Sequence, residues 1–101
     1  MNSAAKSARL ANVALNFEWN AHKVASNLAK HGVSFEDATT VFADPLGRIT
    51  NDGRHSIDEE RFVLLGVSLR GRLLAIMYVE RGETIRLISA RQATRAERRD
   101  P

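Results

Sequence analysis

The side chains of this sequence that suit chemistry are Lys23, His31, His55, Glu60, Arg61, Arg86 and Arg91. Together they suffice for cleavage of RNA without a metal. A base takes the 2′-hydroxyl proton, a cation stabilises the charge that builds on phosphorus, and an acid protonates the leaving 5′-oxygen. The requirement is that they converge on one cleft. Each has a plainer role beside this one. His31 stands on an apolar stripe and precedes a glycine, which suits capping or packing as well as catalysis. Lys23 and Lys30 on a helix face suit solvation, and His55, Asp58, Glu59 and Glu60 suit an exposed lead-in to a strand. Arg86 is the most informative. In the middle of a strand it would be costly to bury unpaired, so it either meets a carboxylate such as Glu60 or lines an open concave face.

Other chemistries have less to stand on. The chain has no cysteine, which excludes thiolate nucleophiles, disulfides and zinc sites built on Cys. No Ser sits in a G-x-S-x-G setting, and six glycines scattered at turns make no phosphate loop. His55, Asp58 and Glu59, with Asp52 nearby, are ligand types for a divalent metal. Without HxH, HExxH or repeated carboxylate spacing they give no metal site, and no cofactor is expected.

The basic charge is uneven. Residues 1–60 hold six Lys/Arg against eight Asp/Glu, whereas residues 61–99 hold nine Arg, no Lys and three Glu. The second half therefore carries +6 of a chain whose net charge is +3. Arg presents a planar fork that matches phosphate or carboxylate, so an acidic partner is favoured, either nucleic acid or an acidic protein surface. No apolar run approaches the ~20 residues of a membrane helix. No secretory signal is expected from the N-terminus.

These residues need elements to position them. Residues 1–14 read as a flexible lead-in to a single domain over 15–101. Leu15 to Trp19 alternates as a short strand. Asn20 reads as an N-cap of a helix that ends at Gly32, with Val24, Leu28 and His31 as its core stripe and Lys23, Asn27 and Lys30 as a basic polar face. A second helix starts at Ser34, buries Phe35, Ala38 and Phe42, and stops at Asp44-Pro45. Arg48 to Thr50 suits a short edge strand in an otherwise loop-like stretch. A three-strand meander follows, Arg61 to Leu69, Arg72 to Glu80 and Thr84 to Ser89, with turns at Arg70-Gly71 and Arg81-Gly82-Glu83. The unbroken apolar run Leu73 to Val79 predicts a central strand. Ser89 and Gln92 have capping-box spacing and predict that a C-terminal helix begins there. The class is α+β: a short antiparallel sheet, made of the meander plus the N-terminal strand, with two helices before the meander and one after it.

Four spaced motifs resemble one family: F-E-W-N-x-x-K-x-x-x-N-x-x-K-H-G-V-S-F-E-D-A-x-x-V-F-x-D from Phe17 to Asp44, H-S-x-D-E-E-R from His55 to Arg61, G-x-S-x-x-G-R-L-L from Gly66 to Leu74, and R-L-I-S-A-R-Q-A-T-x-x-E-R from Arg86 to Arg98. The resemblance is to the BrnT toxins and spans about residues 15–99. It implies a type II toxin–antitoxin system and a fold similar to the RelE-like ribonucleases. It also implies a cytoplasmic, metal-independent endoribonuclease that inhibits translation and growth. The implied partner is a ribbon-helix-helix antitoxin, BrnA-like, in a dimer of toxin–antitoxin heterodimers that meets DNA only through the antitoxin. By match to the motifs, Lys23, His31, His55, Glu60, Arg61, Arg86 and Arg91 are the expected catalytic residues: Arg86 and Arg91 hold and stabilise the scissile phosphate, His55 or Glu60 is the base, and a structural role for His31 stays open. Lys30, Arg81, Arg95 and Arg98 are the expected further RNA contacts. Relatives often continue past Glu-Arg-Arg with a Tyr and acidic residues, whereas this sequence ends at Asp100-Pro101; no contribution from such an aromatic is expected. Two other readings stay open, a binding module without turnover and a lapsed toxin kept as part of a transcriptional autorepressor.

Overall fold

The computed structural model describes residues 15–53 and 58–99. The lead-in 1–14 and His55 lie outside them. The elements in chain order are β1 (Asn16–Trp19), α1 (His22–His31), α2 (Phe35–Thr40), a 3₁₀ turn (Val41–Ala43), β2 (Arg48–Asn51), β3 (Arg61–Val67), β4 (Leu73–Arg81), β5 (Thr84–Gln92) and α3 (Arg95–Arg99). One five-stranded sheet runs in the order β1-β5-β4-β3-β2. The α+β class and the central position of β4 are as expected. The sheet itself is mixed rather than antiparallel, because β1 pairs parallel with β5. The edge position at Arg48–Asn51 is a true strand, paired antiparallel with β3.

Cross-strand partners share a face, so the register sorts the side chains. Phe62, Leu64, Ile76, Tyr78, Ile85, Leu87 and Ala90 form the face covered by α2 and the 3₁₀ turn. Phe35, Ala38, Val41 and Phe42 fill against it, as the sequence stripe predicts. Aromatic contacts fasten the layers. The Phe42 ring meets Phe17 at 5.2 Å and Tyr78 at 5.1 Å, both edge to face, and Trp19 lies 5.5 Å from Phe35. Ser34 caps α2 as expected, its Oγ accepting from the Asp37 N–H at 3.0 Å. Gly32 ends α1 in the left-handed region, φ 69°, where a side chain would be strained.

Two further expectations are overturned. The expected core stripe of α1 faces outward: Val24 is 36% exposed and Leu28 50%. The residue that packs is Asn27, 6% exposed, from the face expected to be solvated. The reason is backbone supply. β1 covers the edge of β5 only as far as Leu87, which leaves the next edge groups without partners. The Asn27 amide replaces the missing strand. Its Oδ1 accepts from the Ala90 N–H at 3.2 Å, and its Nδ2 donates to the Ala90 and Val33 carbonyls, each at 2.9 Å.

The second correction is at the end of β5. No helix begins at Ser89, because β5 keeps pairing with β4 through Gln92. The capping box is one turn later. Thr94 Oγ1 accepts from the Glu97 N–H at 3.1 Å, and Glu97 Oε1 accepts from the Thr94 N–H at 2.8 Å. The same residue pattern, Ser or Thr with Glu or Gln three positions on, occurs at both places, and the ladder to β4 decides between them.

Candidate active site

The face of the sheet opposite the α2 layer carries the site. Its register gives three rows. In the first, Glu18 lies beside Arg86, Arg86 beside Val79, and Val79 beside Arg61. In the middle row Ser89, Met77, Val63 and Thr50 follow one another. In the third, Arg91 leads through Ala75 and Leu65 to Arg48. The face therefore has an apolar floor between basic rows, and Arg86 and Arg61, two strands apart, are separated by about 10 Å.

A bulge makes this arrangement possible. Arg86 and Arg91 are five residues apart, an odd number, and a regular strand would point them to opposite faces. Between the pairs Met77–Ser89 and Tyr78–Leu87, β5 has one extra residue, Ile88. It resets the alternation, so that Leu87 and Ala90 both face the core while Arg86 and Arg91 share the open face. Arg61, Arg91 and Asp52 then line one cleft of about 390 Å³ with Val63, Met77, Ile88 and Ser89.

The arginines are compensated. Arg86 Nη1 meets Glu18 Oε2 at 3.1 Å, so its partner is the carboxylate beside it on β1 and not Glu60. Arg91 makes a two-pronged contact with Glu97, 2.9 Å to Oε1 and 3.1 Å to Oε2. The Arg91 fork, with the Thr94 N–H helping, holds the Glu97 carboxyl down to about 2 from 4.5, and the same bond raises the Arg91 pKa. Glu97 also lines a cleft of about 320 Å³ with Arg48, Thr50, Val63 and Leu65, so α3 folds back toward the open face.

The remaining expected site residues divide. Lys23, Lys30 and His31 line a second cleft of about 480 Å³ together with Ile88 and Ser89, so the two clefts adjoin at the bulge. Glu60 is exposed and its Oε2 accepts from Asn51 Nδ2 at 2.6 Å; it does not line the cleft of Arg61 and Arg91. Arg81 pairs with Glu59 at 3.0 Å at the far end of β4. Arg95 and Arg98 are exposed on α3. Among the described residues no group of three or more His, Asp or Glu side chains is placed to hold a metal. Tyr78 is on the core side, and burial pushes its hydroxyl up to about 12. Sequence reasoning missed Asp52 as a cleft carboxylate, Glu18 and Glu97 as arginine partners, and Asn27 as the edge clamp. Only Thr94-x-x-Glu97 left a readable signal, its capping-box spacing.

A small α+β domain whose open sheet face presents forked cations above an apolar floor is suited to gripping phosphate. The profile of the family described as ribonuclease toxin, BrnT, of type II toxin–antitoxin systems matches residues 19–97, and the chain belongs to that family. The Brucella abortus ribonuclease toxin BrnT, solved at 1.1 Å, shares the fold: the TM-score is 0.62 at 21% identity, over 81% of this chain and 100% of that one. None of the curated proteins matches this chain.

Proposed function

We propose that the chain is a metal-independent endoribonuclease, neutralised by a cognate ribbon-helix-helix antitoxin, that acts by cutting RNA and so inhibits translation and growth. The observation that carries this reading is the bulge at Ile88, which turns Arg91 onto the face that already holds Arg86 and Arg61. Arg61 and Arg91 grip the non-bridging oxygens of the scissile phosphate, and Arg86 adds charge stabilisation from the neighbouring row. Asp52, in the same cleft, takes the 2′-hydroxyl proton. The O2′–P bond forms as the P–O5′ bond breaks, the 5′-oxygen leaves with a proton, and the product ends in a 2′,3′-cyclic phosphate. His55 follows Asp52 by three residues and is the candidate proton donor. Purified protein incubated with RNA in EDTA should release cyclic-phosphate ends; intact RNA would refute the assignment. Induction should stop growth unless the antitoxin is made alongside it.

One observation favours a second reading. Both Arg86 and Arg91 are already held by carboxylates, Glu18 and Glu97, as in a surface that binds without turning over. RNA that is retained but uncut in the same assay would support that reading.

A further inference from the structure

Lys23, Lys30 and His31 were expected within or beside the reaction centre, yet they line a cleft of their own on the other side of Ile88 and Ser89. The two clefts differ in electrostatics. In the arginine cleft Asp52 contributes a carboxylate, and Arg91 is held by Glu97. In the lysine cleft none of the described lining residues is an Asp or Glu, so its cations face no carboxylate among them. Lys23 gives one N–H to the Ile88 carbonyl at 3.2 Å, which fixes its ammonium at the shared wall. An ammonium has three donors, so two remain for an anion. His31, half-buried at the end of α1, offers a flat ring of the kind that stacks on a splayed base.

We propose that this cleft is a subsite for single-stranded RNA, holding a phosphate and base next to the scissile one without taking part in bond cleavage. The strand would cross β5 at the bulge, with Lys23 and Lys30 on one side and Arg61 and Arg91 on the other. RNA is favoured over an acidic protein segment because the cleft adjoins the arginine cleft at Ile88 and Ser89, which line both, so that one strand gripped at Arg61 and Arg91 reaches it by crossing that shared wall. The inference rests on the ribonuclease reading for the identity of the strand.

The test compares a dinucleotide, whose one phosphate is the scissile one, with a longer single strand on the full chain, using Lys23→Gln/Lys30→Gln, Lys30→Gln alone, and Arg70→Gln at the exposed β3–β4 turn as a control that loses the same charge as the single variant. The double variant should bind the longer strand at least about tenfold more weakly, and its salt slope should fall by about one. KM for the longer strand should rise, with kcat and the dinucleotide nearly unchanged, and Lys30→Gln should show part of the effect. Equal losses on both lengths would overturn the proposal by placing the lysines at the reacting phosphate. So would no loss on either, an equal loss in Arg70→Gln, or a loss confined to antitoxin binding. If the wild type binds the longer strand but cuts nothing, the ribonuclease reading fails while the binding comparison still decides the subsite; if it neither binds nor cuts, both fall.

Discussion

Arg91 and Glu97 show how much one side-chain pair settles. The carboxylate takes both prongs of the guanidinium, which Lys cannot reproduce. Arg91→Lys should therefore cut RNA much more slowly although the charge is kept, measured as kcat on a fixed substrate. Glu97 also has a signature in stability. Its carboxyl is held at about 2 in the folded protein against 4.5 ordinarily. A depressed carboxylate stabilises the fold fully above its unfolded pKa and loses that contribution as pH falls through the folded one. Thermal melts of the wild type should therefore lose stability between about pH 4.5 and 2 more steeply than melts of Glu97→Gln. Equal slopes would mean that the pair does not persist in solution. From sequence alone Arg86 and Arg91 stood out by type and position. Their carboxylate partners did not, because Glu18 is 68 residues from Arg86 and only the parallel β1–β5 register joins them.

α1 and β5 are where pattern and structure part. The i, i+4 spacing of Val24 and Leu28 is a sound rule for a helix that lies on a hydrophobic layer. Here α1 sits at the edge of β5, and what that edge lacks is hydrogen-bond partners rather than apolar cover. Asn27 meets the need and turns the helix accordingly. Truncation to Val24→Ala or Leu28→Ala should cost less than about 0.5 kcal/mol, as for ordinary surface positions. Asn27→Ala strands the Ala90 and Val33 backbone groups and should cost about 2–4 kcal/mol, read from denaturant midpoints at constant slope. The reverse ranking would restore the amphipathic reading. α2, by contrast, was legible in its Ser34 cap and buried stripe, since those signals are local and agree with its packing, although the last turn before Asp44-Pro45, Val41–Ala43, tightens to 3₁₀. The bulge was illegible for the opposite reason. One extra residue in a strand leaves no mark on composition, and only pairing with Met77 and Tyr78 exposes it. Deleting Ile88 should straighten β5 but leave Arg86 and Arg91 four residues apart, an even number, so both should stay on the open face and RNA cleavage should persist.

For the molecule as a whole, the charge asymmetry read from composition resolves into geometry. Arg48 joins Arg61, Arg86 and Arg91 on one face, drawn from β2, β3 and β5. Not every arginine of the basic half belongs there: Arg72 spends its guanidinium on Asp37, at 3.2 Å, and on the Gly32 carbonyl, at 3.0 Å, pinning α2 to the β3–β4 turn. No helix among the described residues is long and apolar enough to cross a membrane. On the proposed reading, Asp52, Arg61 and Arg91 in one cleft and the lysines in the next would make bond cleavage and strand holding separable. The most direct test of the central claim is the single-turnover cleavage rate of one defined RNA in EDTA by the wild type and Arg91→Ala, with folding of both verified by melting. The predicted result is cleavage by the wild type and a loss of about 10²–10³-fold in the variant, the range for removing one preorganised charge-stabilising donor. Equal rates in the two proteins, or no cleavage by the wild type, would contradict it.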